Sequence, residues 1–199
     1  AAGRHRVHNI EYRIITRKGN VMWINSRGKT RLDKNGTPLG LFGQISESVW
    51  MGKADQFTGT FNMESLKEEL EKLLADQQNG YLLLVGVDDL KTINIKRGWE
   101  FGNGILKSVV QCLESVAAGN RIYRVNGDCF GVNLVDVDRN QVEAIFLQLQ
   151  KYLQGQCTLS GGCVPLRQYT VPDAGTLFQY VENSLESAKA QGKNMLCFF

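Results

Sequence analysis

The chain has 199 residues, of which 43% are apolar and 22% charged, as in an ordinary folded protein with room for one common-sized domain and a smaller unit. The formal net charge is +3, without a dense lysine and arginine run, which argues against a nucleic-acid partner. No apolar run approaches the roughly 18 residues of a membrane span, and no signal-peptide pattern opens the sequence.

The first quarter has the alternation of antiparallel strands, predicted over residues 11–16, 21–25 and 39–45. Residues 27–32 could continue the second strand. Turns are expected at 17–20 and 33–38, which are rich in Gly, Asn, Asp and Pro. Residues 46–55 are expected to leave the sheet as a short linking helix, with Trp50 packed on the sheet.

The remaining residues alternate between helical and strand patterns. The helices are predicted at 63–75, 101–117, 140–153 and 176–190, with a short helix after Asp88 or Asp89, either of which could cap it. The strands are predicted at 81–87, 121–125, 130–135, 157–166 and 194–199. Gly80 is expected to stop the first helix. The third helix should bury an apolar stripe of Ile105, Leu106, Val109, Val110 and Leu113. The pattern predicts an α/β fold, a mixed central sheet wrapped by helices.

The five cysteines are odd in number, scattered and without a CxxC pair, so neither a disulfide framework nor a zinc site is indicated. We expect reduced thiols in a cytoplasmic protein. His5 and His8 are too isolated to indicate a metal site and are interpreted as surface residues.

Five segments, each weak alone, form an ordered set. A hairpin tip at residues 124–130 reads R-V-N-G-D-C-F, which by itself is only a good tight turn. The other segments are D-Q-F-T-G-T-F-N at 55–62, G-V-D-D-L-K-T-I-N at 86–94, G-W-E-F-G-N at 98–103 and A-K-A-Q-G-K-N at 188–194. In this order and spacing the set resembles the GGDEF family, the diguanylate cyclase domains, over about residues 55–199.

The resemblance implies a reaction. In active members two GTP-loaded domains face each other, and each 3′-hydroxyl attacks the other α-phosphate to give cyclic-di-GMP. Carboxylates at the strand end and hairpin tip hold Mg²⁺, which bridges the phosphates and offsets negative charge. Lysines hold the phosphates, and an Asn and an Asp contact the guanine edge. Mg²⁺ and GTP are therefore the cofactor and substrate expected if any activity remains.

Two of the family's metal-binding acids have no counterpart here. The acid at the end of the first central strand falls on Gly86, and the fourth signature acid falls on Cys129, whose thiol suits Mg²⁺ poorly. Asp128 survives as the third-position acid and the residual catalytic candidate. Asp88 projects to the same face as Gly86, about 6–7 Å further along the strand. We expect no bound metal; Asp128, Asp88 and the Val87 carbonyl are the weak candidate ligands.

The nucleotide-contacting positions are better kept. The resemblance assigns nucleotide binding to Lys91, Asn94, Asn103, Lys189 and Lys193, with Asn103 in place of the guanine-reading Asp. An Asn cannot accept two hydrogen bonds from guanine as an Asp can. The signature hairpin consists of Asn126, Gly127, Asp128, Cys129 and Phe130. Asn126 tolerates left-handed backbone angles, but its side chain would occupy space near the substrate. Trp99 replaces the family's His and is assigned to packing.

The strands of the first quarter resemble the last three strands of a PAS domain over about residues 8–49. The predicted organisation is a PAS fragment at 1–49, a linker at 50–56 and a degenerate GGDEF domain at 57–199. Since a PAS pocket also needs the helices, we expect no complete cofactor pocket in this fragment.

Three functions follow from the resemblance. The first is a non-catalytic unit of cyclic-di-GMP signalling that regulates a neighbour or dimerises downstream of a PAS sensor; the alternatives are an active diguanylate cyclase with an unusual site and a nucleotide sensor without turnover. The partners that the family suggests are a second copy of the chain and an adjacent EAL phosphodiesterase domain.

Overall fold

The computed structural model describes residues 5–17, 19, 21–47, 53–167 and 173–199. The chain divides into two compact units, residues 1–59 and 60–199. The predictions for Trp50, for residues 48–52 of the linking helix and for the His5 and His8 side chains fall outside what the structure describes. The other residues of the predicted linking helix are not helical, since 46–47 belong to an antiparallel strand and 53–55 lie in a turn region, so that prediction is wrong there.

The first unit is built on a three-stranded antiparallel sheet. Strand β1 spans His5–Ile15, β2 spans Val21–Leu32 and β3 spans Pro38–Glu47, in the order β1-β2-β3. The three predicted strands are confirmed, and β2 includes the continuation that the sequence left open. Their assignment to a PAS domain stays a prediction.

The segment after this sheet contains a turn held by Asp55. Its Oδ1 accepts hydrogen bonds from the Thr58 amide at 2.8 Å and from the Thr58 hydroxyl at 2.6 Å. The Gln56 carbonyl accepts a bond from the Val21 amide, and the Gly59 carbonyl accepts one from the Trp23 indole. This family-like segment therefore has a structural role within the first unit.

The second unit contains all the helices and strands predicted for it. Its helices are α1 Met63–Ala75, α2 Leu90–Arg97, α3 Trp99–Val116, α4 Arg139–Tyr152 and α5 Ala174–Ala190. Its strands are β4 Phe61–Asn62, β5 Gly80–Val87, β6 Ile122–Arg124, β7 Cys129–Val135, β8 Leu159–Pro165 and β9 Leu196–Phe198. The two-residue β4 was not predicted, because two residues carry no periodicity.

The sheet of the second unit is mixed, as predicted. Its strand order is β4-β6-β7-β5-β8-β9. The central strand β5 runs antiparallel to both β7 and β8, whereas the edge pairs β4/β6 and β8/β9 are parallel. The last residues of β5 therefore lie between the start of β7 and the start of β8, close to the β6–β7 hairpin tip.

Helices cover this sheet with their apolar faces. Leu66 and Leu70 of α1, Val181 and Leu185 of α5, and Leu84 of β5 share one buried cluster. Helix α3 contacts α4 and β6. The stripe predicted for α3 is confirmed, since all five of its members are buried: Ile105, Leu106, Val109, Val110 and Leu113. None of the described helices is long and apolar enough to cross a membrane.

The sequence predicts that Gly80 stops α1, but the structure shows that it does not. The helix ends at Ala75, where the Asp76 amide donates to the Leu74 and Lys72 carbonyls. Gly80 instead opens β5 with φ +129°, and a Cβ there would collide with the Leu134 carbonyl oxygen. Glycine is required by this close approach of two strands rather than by a helix end.

Candidate functional site

The signature hairpin forms a four-residue loop between β6 and β7. The Val125 amide donates to the Cys129 carbonyl at 2.9 Å. Arg124 holds the tip from β6, with its Nη2 donating to the Gly127 carbonyl at 2.8 Å. Neither Asn126 nor Gly127 has a positive φ, so the loop does not need the left-handed tolerance that the sequence analysis considered for Asn126.

A cleft of about 630 Å³ opens beside this tip. It brings together Lys91, Asn94 and Asn103 of the predicted nucleotide set with Gly127 and Asp128 of the signature. Its remaining lining residues are Asp89, Leu90, Ile95, Trp99, Leu106 and Arg124. Two amides, an ammonium, a guanidinium, two carboxylates and apolar side chains thus line one concave space, and polar groups on a partly apolar wall are usual for a small-molecule site.

Asn94 owes its position to a glycine on the neighbouring helix. The side chain lies between α2 and α3 with its Oδ1 against Gly102, where any Cβ would overlap that oxygen. The same Oδ1 is buried and has no hydrogen-bond partner within the described structure. The family motif G-x-x-x-G at 98–102 therefore makes room for the amide that the resemblance assigns to base recognition.

The structure places Lys193 and Lys189 outside the residues that line the cleft. The Lys193 Nζ pairs with both carboxylate oxygens of Asp89, at 2.7 and 2.8 Å, and this hydrogen bond raises the pKa of Lys193. Asp89 occupies the N-cap position of α2, but its side chain makes no capping bond. The prediction that the Asp89 side chain caps α2 is therefore wrong. Its carboxylate instead connects the segment after α5 to the cleft through the ion pair with Lys193.

Lys189 lies over Gly86. A Cβ built on Gly86 would be 3.4 Å from the Lys189 Cε and 3.7 Å from its Nζ. The Lys189 ammonium also pairs with Glu186 at 3.4 Å. The space into which an acid at position 86 would extend is thus occupied by a cationic side chain.

Cys129 is the cross-strand partner of Gly86. Its side chain is 2% exposed and belongs to the apolar cluster beneath α1 and α5. Burial, with a further contribution from Asp128, raises the pKa of this thiol to about 12, although Lys189 opposes the shift. The group is therefore a protonated, buried thiol near neutral pH, which is a poor ligand for Mg²⁺.

Asp88 and Val87 have structural bonding partners. The Asp88 carboxylate is 4% exposed and accepts bonds from Ser160 Oγ at 2.6 Å, Thr158 Oγ1 at 2.8 Å and the Asn194 amide at 3.1 Å. The Val87 amide donates to the Asp128 carbonyl at 3.0 Å. Asp88 does not cap α2 either; it joins β5 to β8 and to the loop before β9.

These observations test whether the residues present fit a magnesium ion. Gly86 has no side chain, Cys129 offers a buried thiol, and the Asp88 oxygens are already hydrogen-bonded. Within the described ranges, no group of three or more His, Cys, Asp or Glu residues is arranged to hold a metal. The site does not fit the ion, since Mg²⁺ requires near-octahedral oxygen ligation.

Trp99, which the sequence analysis assigned to packing, is a second lining residue whose predicted role is wrong. It is 74% exposed, and Ile95 is 77% exposed, so both stand on the cleft wall rather than in the core. The sequence signal for this exposed position is that Trp99 directly follows Gly98 as the first residue of α3 and precedes the buried apolar stripe of that helix.

The model of the family "Diguanylate cyclase, GGDEF domain" matches residues 53–195. The chain belongs to the GGDEF family. This GGDEF domain is 25% identical over 169 residues to the probable diguanylate cyclase DgcT of Escherichia coli, a match that covers 77% of this chain and 37% of that protein. The chain thus spans well under half the length of this relative.

Solved structures share the fold. The coiled coil and GGDEF domain of DgcB from Caulobacter crescentus, in complex with c-di-GMP, aligns with a TM-score of 0.69 and 17% identity over 74% of this chain and 86% of that one. The S helix-GGDEF-EAL portion of LapD from Vibrio cholerae, bound to c-di-GMP, aligns with a TM-score of 0.64 and 18% identity over 75% of this chain and 37% of that one.

Proposed function

We propose that this GGDEF domain is a regulatory unit of cyclic-di-GMP signalling that binds a nucleotide without cyclising it. The observation that carries the proposal is the pairing of Gly86 with Cys129, because the two positions that lack the family's metal-binding acids meet at one point of the sheet. Cyclisation in the family relies on a divalent ion that bridges the phosphates and offsets developing charge. Gly86 and Cys129 supply no side-chain oxygen for such an ion.

The cleft supports the binding half of the proposal. Its volume of about 630 Å³ suits a mononucleotide, since ligand sites span roughly 300–1,000 Å³. The Asn94 amide nitrogen and the Asn103 amide offer hydrogen-bonding groups for a base edge, and Lys91 offers a positive charge for a phosphate. Asp128 also lines this cleft, as does Asp89, whose carboxylate is paired with Lys193.

The regulatory half of the proposal is supported by the domains that accompany GGDEF domains in other proteins. One structural neighbour carries its GGDEF domain beside an EAL domain. We propose that nucleotide binding in this chain acts on an adjacent EAL phosphodiesterase domain or on a second copy of the chain. A conformational output of this kind requires only that nucleotide prefer one of two domain arrangements.

The test is an incubation of the purified chain with GTP and either Mg²⁺ or Mn²⁺, followed by chromatography and mass spectrometry for cyclic-di-GMP. An intact diguanylate cyclase assayed in parallel is the control. We expect no cyclic-di-GMP above the blank, together with measurable GTP binding by calorimetry. Product that grows with protein concentration would make the chain an active cyclase, and absence of heat at millimolar GTP would dismiss the binding half.

A further inference from the structure

The positive charge beside Gly86 is the ammonium group of Lys189. The Lys189 side chain crosses Gly86 so closely that a Cβ there would lie in van der Waals contact with both its Cε and its Nζ, at 3.4 and 3.7 Å. The side chain is 29% exposed, so it is partly enclosed by the end of the sheet. A small residue at position 86 is what allows the lysine to lie there.

The Lys189 ammonium makes only a long ion pair with Glu186 among its described contacts, so it can still bind an anion. Its ion pair with Glu186 is 3.4 Å long, beyond the roughly 2.7–2.9 Å of a strong charge-assisted bond, and the Glu186 side chain is 72% exposed. Lys189 lies over Gly86, whose cross-strand partner Cys129 directly follows Asp128 in the chain. Asp128 lines the cleft, so Lys189 lies near the cleft's signature end.

The local charge is the same as in a site that holds a divalent ion between acids. Replacing two carboxylates by Gly86 and Cys129 removes two negative charges, which equals the charge of the ion that those acids would hold. The net charge at these two positions is therefore unchanged without the ion, and Lys189 supplies a positive charge beside them for an incoming polyphosphate.

We propose that the Lys189 ammonium takes the electrostatic place of a divalent cation, so that this cleft binds the free polyphosphate of a nucleotide rather than its magnesium complex. The inference rests on the proposed function, since it concerns the ligand form taken by the same cleft. It goes beyond that function by removing the metal requirement from binding as well as from turnover.

The test measures GTP and ATP affinity by calorimetry, once with saturating Mg²⁺ and once with excess EDTA. We expect at least equal affinity in EDTA, because Mg²⁺ neutralises the phosphates that Lys189 would contact. Lys189→Gln should weaken binding in EDTA about tenfold, the effect of losing one charge-assisted hydrogen bond. Lys67→Gln on the exposed side of α1 is the matched control and should leave affinity unchanged.

A second variant tests the same point by a gain of binding. Glu186→Gln removes the acid that competes for Lys189 and should strengthen binding in EDTA by about threefold, in the range of an exposed ion pair. Binding that requires Mg²⁺, or a Lys189→Gln affinity equal to that of Lys67→Gln, would overturn the inference and leave the proposed function standing. No binding in either buffer would overturn both.

Discussion

Gly86 and Cys129 are direct cross-strand partners in the antiparallel pair β5/β7. Side chains at such paired positions have Cβ atoms about 4.5–5.5 Å apart, so two acids placed there would share one ion. In this chain one position is empty and is covered by Lys189, and the other carries a thiol buried in the apolar cluster. The two departures from the family motif thus alter a single site.

Restoring an acid at position 129 should destabilise the fold. Because Cys129 is 2% exposed, Cys129→Glu would bury a carboxylate or force its protonation, at a cost of about 2–4 kcal/mol in the free energy of unfolding. Cys129→Ala is the matched control and should cost about 1 kcal/mol through lost packing. Urea unfolding measures both; a glutamate variant as stable as the alanine variant would show that the position is open to solvent or to an ion.

The buried thiol should also make stability fall at alkaline pH. The pKa of Cys129 rises from 9.0 to about 12 on folding, so its contribution is complete below pH 9 and is lost as the pH rises toward 12. Cys129→Ala should therefore show a shallower loss of unfolding free energy between pH 8 and about pH 10.5 than the parent chain. Cys197→Ala, in the edge strand β9, is the control. Equal slopes for parent and Cys129→Ala would contradict the burial argument.

Gly102 and Gly104 of α3 provide a matched pair of substitutions. A Cβ at Gly102 would overlap the Asn94 Oδ1, whereas a Cβ at Gly104 meets nothing within 4 Å. Gly104→Ala should raise stability by about 0.5–1 kcal/mol through helix propensity. Gly102→Ala should lower it by about 1–3 kcal/mol through overpacking. Thermal unfolding tests this prediction, and nucleotide affinity should fall only for Gly102→Ala; similar behaviour of the two variants would count against a placed Asn94.

A polar cluster on the α1 face of the sheet predicts a second pH effect. Burial raises the pKa of Glu69, although Arg121, a hydrogen bond with Asn133 and Lys72 oppose the shift. The Glu69 Oε2 and the Tyr123 hydroxyl are buried without described partners. A raised carboxyl pKa contributes stability that is present below the ordinary value of 4.5 and is lost as the pH rises through the folded value.

Glu69→Gln should therefore remove this dependence and stabilise the domain at neutral pH by about 1 kcal/mol, the cost of a poorly satisfied buried polar group. Glu71→Gln, on the exposed side of the same helix, is the control. The measurement is urea unfolding from pH 4 to 8. If Glu69→Gln kept the parent's pH slope, another group would be responsible.

Asn103 should decide which base the cleft prefers. Its amide offers one donor and one acceptor, which match the donor and acceptor of an adenine edge, whereas guanine presents two donors to a carboxylate. Asn103→Asp should shift the ratio of ATP to GTP dissociation constants about tenfold toward GTP. Asn140→Asp makes the same charge change at an exposed residue of α4 that does not line the cleft and serves as the control. An unchanged ratio in Asn103→Asp would place base recognition elsewhere.

Much of the site could be predicted from residue identity. Of the predicted nucleotide set, Lys91, Asn94 and Asn103 line one cleft together with the signature residue Asp128, whereas Lys189 and Lys193 are not among its lining residues. The prediction failed where a side chain had two physically reasonable roles. Trp99, at the start of a helix, could lie in the core or at the rim of the cleft. Asp89, just before a helix, could either cap that helix or form an ion pair, and the position of Lys193 in the segment after α5 decides for the ion pair.

The sequence alone determined the order of helices and strands, because apolar periodicity and turn residues act over a few positions. It also determined which acids are missing, since that is a matter of residue identity. Only the tertiary structure decided that Gly86 pairs with Cys129, that Asp88 accepts a hydrogen bond from Ser160, and that Lys189 covers Gly86. Strand register and helix packing set these contacts between residues far apart in the chain, and no local pattern encodes them.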